Sequence, residues 1–105
     1  MGIVERAAVR AGIELHRRAG LNLVATADAP KFLAACEALH VRILGFDGFT
    51  IAEGCLIPDM AAIADFSDVA DAQESVRCSH RVLRQLSAPE LLFEFTVDEA
   101  PFLPT

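Results

Sequence analysis

The chain has 105 residues, a formal net charge of −6 and a mean hydropathy of +0.39. This length predicts a single domain spanning residues 1–105, and no apolar run approaches the roughly 18 residues that a membrane-spanning helix needs. Glu5, Arg6 and Arg10 interrupt the position where a secretory signal has its apolar core. We therefore expect a cytoplasmic protein that does not enter a membrane.

The charge is divided unevenly along the chain. Residues 1–46 carry six bases and four acids, a net charge of +2, whereas residues 47–105 carry three bases and eleven acids, a net charge of −8. Nucleic-acid-binding proteins present a basic footprint, so this balance argues against nucleic acid as a partner. It is compatible with a basic protein partner, because opposite fields speed encounter.

The first elements are predicted to be helices. Residues 3–19 place Val4, Ala7, Ala8, Ala11 and Leu15 on one helical face, with Gly20 at the C-terminal cap. We expect residues 1–20 to form a peripheral N-terminal helix. Residues 21–26 predict a short strand or a linker, and a second helix is expected from Asp28 to about His40, with Pro30 in its first turn.

The middle of the chain predicts short strands joined by turns. Residues 41–46 and 49–52 flank Asp47-Gly48, a pair typical of a hairpin turn. A second turn at Glu53-Gly54 would return residues 55–57 as a third strand, which Pro58 ends or marks as an edge. Asp59 could then cap a short helical turn that runs through residues 60–64.

The last elements are a helix and a strand. Ser67 or Asp71 could cap a helix that runs to about Leu86, and Pro89 would close that segment. Residues 91–97 alternate between apolar and polar, as expected of a strand with one buried face. The predicted fold is α+β, with a three- or four-stranded, mostly antiparallel sheet and helices packed on one face.

Carboxylates between residues 59 and 74 form the main candidate site. Four of them recur every three residues, so a helix would place them on one face. Three interpretations remain open: a solvated face that complements a helix dipole, a docking patch for a basic protein, or a divalent-metal site. The residues assigned to the docking patch are Asp59, Asp65, Phe66, Asp68, Asp71 and Glu74.

Two alternatives to a protein-binding function remain. Asp65 and Asp68, or the Cys36/His40 and Cys78/His80 pairs, could serve a small enzyme or a metal-dependent ligand-binding protein. The cysteine spacing matches no closed zinc site, however, and buried, reduced thiols are the simpler interpretation of Cys36, Cys55 and Cys78. We assign no catalytic residue and expect no cofactor. The high apolar content also allows a homo-oligomer, such as a homodimer.

Several segments together carry a resemblance to a known kind of protein. They are Ile43-Leu44-Gly45-Phe46-Asp47-Gly48-Phe49, Ile57-Pro58-Asp59-Met60, Ile63-Ala64-Asp65-Phe66-Ser67 and Leu92-Phe93-Glu94-Phe95. This pattern resembles short bacterial proteins, some of which look like immunity partners of secreted polymorphic toxins. The resemblance covers residues 29–99 and implies a small cytoplasmic inhibitor that binds and blocks a toxin. A nuclease toxin is basic because its substrate is anionic, and an acidic inhibitor would complement it.

Overall fold

The computed structural model describes residues 2–86 and 90–98, which form three α-helices and one five-stranded antiparallel sheet. The helices are α1 (Ile3–Ala11), α2 (Ala29–Ala38) and α3 (Ala72–Gln85). The strands are β1 (His16–Arg18), β2 (Leu21–Ala25), β3 (Arg42–Ala52), β4 (Cys55–Asp65) and β5 (Leu92–Asp98), in the sheet order β1-β2-β5-β3-β4. The α+β class is confirmed, with five strands where three or four were expected. Over the described residues, no helix has the length and apolarity to cross a membrane.

The predicted helix over residues 3–19 is wrong in its second half. Gly12 adopts a left-handed conformation (φ 70°), and its N–H donates to the Val9 carbonyl oxygen, which ends α1 at Ala11. Gly20, the expected cap, instead lies in the β1–β2 turn. Ala7 of α1 is fully buried in the core, so α1 packs against the rest of the fold through this face.

The hairpin expected at Asp47-Gly48 is also wrong, because β3 runs straight through these residues. Gly48 is required there by close approach: a Cβ atom on it would lie 2.6 Å from the Cβ of Ala62. The chain turns instead at Glu53-Gly54, whose φ values of 52° and 79° suit a type I′ turn. That second turn was predicted correctly.

Strand β4 is longer than the sequence suggested and forms one edge of the sheet. The helical turn expected over residues 60–64 is therefore wrong. Pro58 lies within β4, where an edge strand tolerates its missing N–H. The pairing of β3 with β4 shifts register between Asp47 and Phe49, so β4 bulges near Asp59 and Met60.

The core lies between the helices and one face of the sheet. Phe46 contacts Phe93 and Phe95 edge-on, at centroid distances of 5.3 and 5.6 Å, and Phe32 of α2 stacks on Phe95 at 4.9 Å. The predicted alternation of β5 is confirmed, since Leu91, Phe93 and Phe95 are buried. We call this side of the sheet the covered face.

Helix α3 begins where the sequence allowed. Asp71 is its N-cap and accepts a hydrogen bond from the Glu74 backbone N–H at 2.8 Å. Ser75 then joins α3 to the sheet, because its buried hydroxyl accepts the Ile43 backbone N–H at 2.9 Å. The expected role of Pro89 lies outside the described residues.

Candidate functional site: the open face of the sheet

The second face of the sheet carries the candidate site. Side chains alternate along a strand, so the neighbours of Phe46 and Phe93 point away from the helices. We call this side the open face. Its cross-strand rows are Asp65, Gly45 and Thr96; then Ile63, Asp47 and Glu94; then Pro58, Phe49, Leu92 and Ala25; and finally Leu56 and Ile51.

Three carboxylates lie at one end of this face. Asp47 of β3 is directly opposite Glu94 of β5, and Asp65 of β4 is the diagonal neighbour of Asp47. Directly opposite Cβ atoms are about 5 Å apart in such a pair, and like charges there destabilise the sheet. Among the described residues, none of these three carboxylates forms an ion pair with a base. The base nearest to them along this face is Arg42, which is paired with Asp98 in the row beyond Thr96.

The other end of the open face is apolar and concave. A cleft of about 620 Å³ has a floor built from Ala25, Phe49, Ile51 and Leu92. Its rim carries His16 and Glu90, which are both exposed. The rows are two residues apart along a strand, so Phe49 and Leu92 lie about 7 Å from the level of Asp47 and Glu94. Apolar and anionic surface are therefore continuous.

Charge and exposure coincide over a long part of the chain. Residues 43–76 contain seven carboxylates and no Lys, Arg or His. The same region includes four of the large side chains that remain exposed, namely Ile51, Ile57, Met60 and Ile63. Exposed apolar patches that lie beside polar groups commonly mark sites of protein interaction.

The structure disperses the docking patch that the sequence predicted. The four regularly spaced carboxylates do not lie on one helix: Asp65 ends β4, Asp68 lies in a turn, Asp71 caps α3 and Glu74 lies in its first turn. Asp59 belongs to the bulged part of β4 and accepts the Ala61 backbone N–H at 3.0 Å. These carboxylates therefore do not share one helical face.

Two members of the predicted patch have structural roles. Phe66 is only 9% exposed and packs edge-on against Phe46, so it belongs to the core rather than to a binding surface. Glu74 pairs with Arg77 at 3.2 Å, as the three-residue spacing suggested. Asp65 is the predicted residue that the structure places on the open face.

Asp65 is held in its ionised form by its own turn. The Ser67 hydroxyl and backbone N–H donate to Asp65 Oδ1 at 2.6 and 2.8 Å. These hydrogen bonds lower the pKa of Asp65 below its ordinary value, and the bond from the Ser67 hydroxyl has the larger effect. The carboxylate keeps its charge to lower pH than an unassisted aspartate.

The three cysteines lie in different environments. Cys36 is fully buried as expected, whereas Cys55 is exposed at the start of β4 and Cys78 is half-buried. Burial raises the pKa of the Cys36 thiol to about 12, so this thiol is not a nucleophile at neutral pH. Within residues 2–86 and 90–98, no three His, Cys, Asp or Glu side chains are grouped so that they could hold a metal ion.

Two residues of the acidic end were not assigned to a site by the sequence pattern. Asp47 was attributed to a turn, and Glu94 only to the side of β5 away from the core. Their proximity depends on the β3–β5 register, which no local pattern specifies. The alternation of residues 91–97 did indicate correctly that Glu94 points away from the core.

Comparisons with known proteins give no assignment. No protein-family model matches the chain. No curated protein and no solved structure matches it either.

Proposed function

We propose that this chain is a protein-binding domain whose open face docks a cationic surface of a partner protein. The observation that carries the proposal is the carboxylate group formed by Asp47, Asp65 and Glu94 on adjacent strands. These side chains repel one another in the free protein, and a partner's bases would relieve that repulsion.

The neighbouring apolar surface supports a macromolecular partner. Phe49, Leu92 and Ile63 border the carboxylates and would exclude water when a protein covers them. An ion pair is stronger in such a partly desolvated setting than on an open surface. The three α-helices of the described residues pack on the covered face, whereas Ile63 on the open face is exposed and would pack against a partner.

Two exposed carboxylates follow β4, outside the open face. Asp68 and Asp71 follow Asp65 within six residues and are exposed. Because Asp71 also caps α3, we assign it a structural role with a secondary electrostatic one. Asp68 accepts no hydrogen bond within the described residues, which leaves it available for long-range attraction of a basic partner.

The specific role that we propose is that of an immunity-type inhibitor in the cytoplasm, with a basic toxin as its partner. The resemblance of residues 29–99 to short bacterial proteins, some of which look like immunity partners of toxins, supports this role. The charge of −8 on residues 47–105 supports it as well, because a nuclease toxin presents a basic surface to its substrate.

The experiment is co-expression with the product of the neighbouring gene, followed by purification and toxicity assays. We expect a co-purifying complex that dissociates in high salt. The variant D47N/D65N/E94Q should lose the complex and the protection, whereas the control E14Q/D28N/E37Q, with the same charge change outside the strands, should retain both. Equal binding by the two variants would overturn the open face as the docking site, and a non-toxic, non-binding neighbour would remove the immunity role.

A further inference from the structure

A second exposed surface combines charge with an apolar side chain, and it lies on α1. Val9 is 68% exposed. Among residues 2–86 and 90–98, the other large apolar side chains that are exposed all lie in β3 and β4. Arg6 and Arg10 are exposed on either side of it, and neither forms an ion pair with a described residue. We call Arg6, Val9 and Arg10 the outer face of α1.

The outer face of α1 complements the open face in charge and spacing. Residues four apart on a helix have Cβ atoms about 5–6 Å apart, which holds for Arg6 and Arg10. Opposite residues on paired strands, such as Asp47 and Glu94, are about 5 Å apart. Two bases on the helix can thus face two carboxylates on the sheet. Val9 would then lie against the apolar border formed by Ile63 and Phe49.

These two surfaces cannot meet within one molecule. Ala7 and Ala8 hold α1 in the helical layer over the covered face. The open face is on the opposite side of the sheet. Contact between them therefore requires two copies of the chain.

We propose that a second copy of this chain occupies the open face through the outer face of α1. The interaction joins unlike surfaces, so it is head-to-tail and leaves one free surface of each kind at the ends of every assembly. It rests on the proposed function, because the same carboxylates would bind the cationic partner. Self-association thereby shields the acidic face until the partner displaces the second copy.

Sedimentation velocity on the full chain over a concentration series tests the proposal. We expect the average mass to rise with concentration at low salt and to return to the monomer value at high salt, because the contact is electrostatic. Two variants separate the surfaces: R6E/R10E loses the cationic helix, and D47K/E94K loses the anionic face. Each variant alone should remain monomeric, with circular dichroism confirming that it folds.

Mixing the two variants gives the decisive result. R6E/R10E retains a native open face and D47K/E94K retains a native α1, so the mixture should associate where each variant alone does not. The two reversed surfaces also carry opposite charges and can pair with each other, so the mixed assembly can extend as the wild type does. A mixture that stays monomeric would overturn the head-to-tail contact, as would wild-type protein that is monomeric throughout. Self-association that survives in both variants would indicate a different interface and would overturn it too.

The same variants distinguish this inference from the proposed function. R6E/R10E should still bind the cationic partner, because its open face is intact, whereas D47K/E94K should not. If R6E/R10E and wild type are both monomeric and both bind the partner, the self-association fails and the docking function stands. If D47K/E94K binds the partner as well as wild type does, the docking function fails.

Discussion

The two faces of one sheet differ although they are built from the same strands. On the covered face, Phe46, Phe93 and Phe95 form one aromatic group beneath the helices. On the open face, the adjacent residues Asp47 and Glu94 oppose each other without a base among the described residues. Neighbouring positions in β3 and β5 thus have opposite effects on the free energy of unfolding. The buried aromatic residues raise it, whereas the opposed carboxylates lower it. A residue's face, more than its position in the chain, should decide what its substitution changes.

The largest difference between the two faces is expected when an aromatic ring is removed from each. Phe46→Ala should lower the free energy of unfolding by about 3–5 kcal/mol, because it opens a cavity among buried rings. Phe49→Ala on the open face should cost much less, since Phe49 is half-exposed. Urea unfolding followed by circular dichroism measures both. Equal losses for the two variants would show that the open face is as tightly packed as the covered one.

A buried and an exposed cysteine should differ in how they affect stability at alkaline pH. Burial raises the pKa of Cys36 from its ordinary value near 9 to about 12, so the unfolded chain releases this proton first as the pH rises. Stability is therefore fully present below pH 9 and falls above it, by up to about 1.4 kcal/mol for each pH unit until pH 12.

Denaturant unfolding between pH 8 and 11 measures this slope. Cys36→Ala should remove most of it, whatever that substitution does to stability at pH 8. Cys55→Ala is the matched control, because Cys55 is exposed and should leave the slope unchanged. A slope that persists in Cys36→Ala would assign the alkaline loss to other groups.

Two buried serine hydroxyls should differ in their contribution to the free energy of unfolding, by a smaller amount. Ser75→Ala should cost about 1–3 kcal/mol, because it leaves the Ile43 N–H without its acceptor between α3 and β3. Ser79 is equally buried, but its hydroxyl donates to the Ser75 carbonyl oxygen within the same helix. Ser79→Ala should therefore cost less, since that carbonyl also takes part in the helix. Thermal unfolding of the pair decides the matter, and a larger loss for Ser79→Ala would contradict it.

Much of the covered face could be predicted from local sequence. The Asp71 cap of α3, the Pro30 start of α2 and the alternation of β5 all reflect short-range rules, and the structure confirms them. Local rules failed where the same residues are compatible with two different local structures. Asp47-Gly48 has turn chemistry, but Gly48 is there because Ala62 and Phe93 approach its backbone closely. Likewise, Gly12 lies inside the predicted helix over residues 3–19 and is in fact the cap that ends it.

The candidate site was less predictable than the fold. Asp65 was assigned to a docking patch from its helical spacing with other carboxylates, whereas the structure places it at the end of β4 on the open face. Asp47 and Glu94 are 47 residues apart and meet only through the β3–β5 register. A charge pattern along the chain can show that a region is acidic, but only strand pairing determines which carboxylates lie side by side.

The smallest expected change in stability comes from removing one of the opposed carboxylates on the open face. If Asp47 and Glu94 repel each other in the free protein, then D47N should raise the free energy of unfolding by about 0.2–1 kcal/mol. E94Q should do the same, and the double variant should gain less than the sum, because either change alone removes the like-charge pair. Added salt should shrink the gain by screening the repulsion. Guanidinium is itself a salt, so urea unfolding at low ionic strength is the measurement. A loss of stability in D47N would mean that this carboxylate supports the fold, and the open face would then lack the stored repulsion that favours a cationic partner.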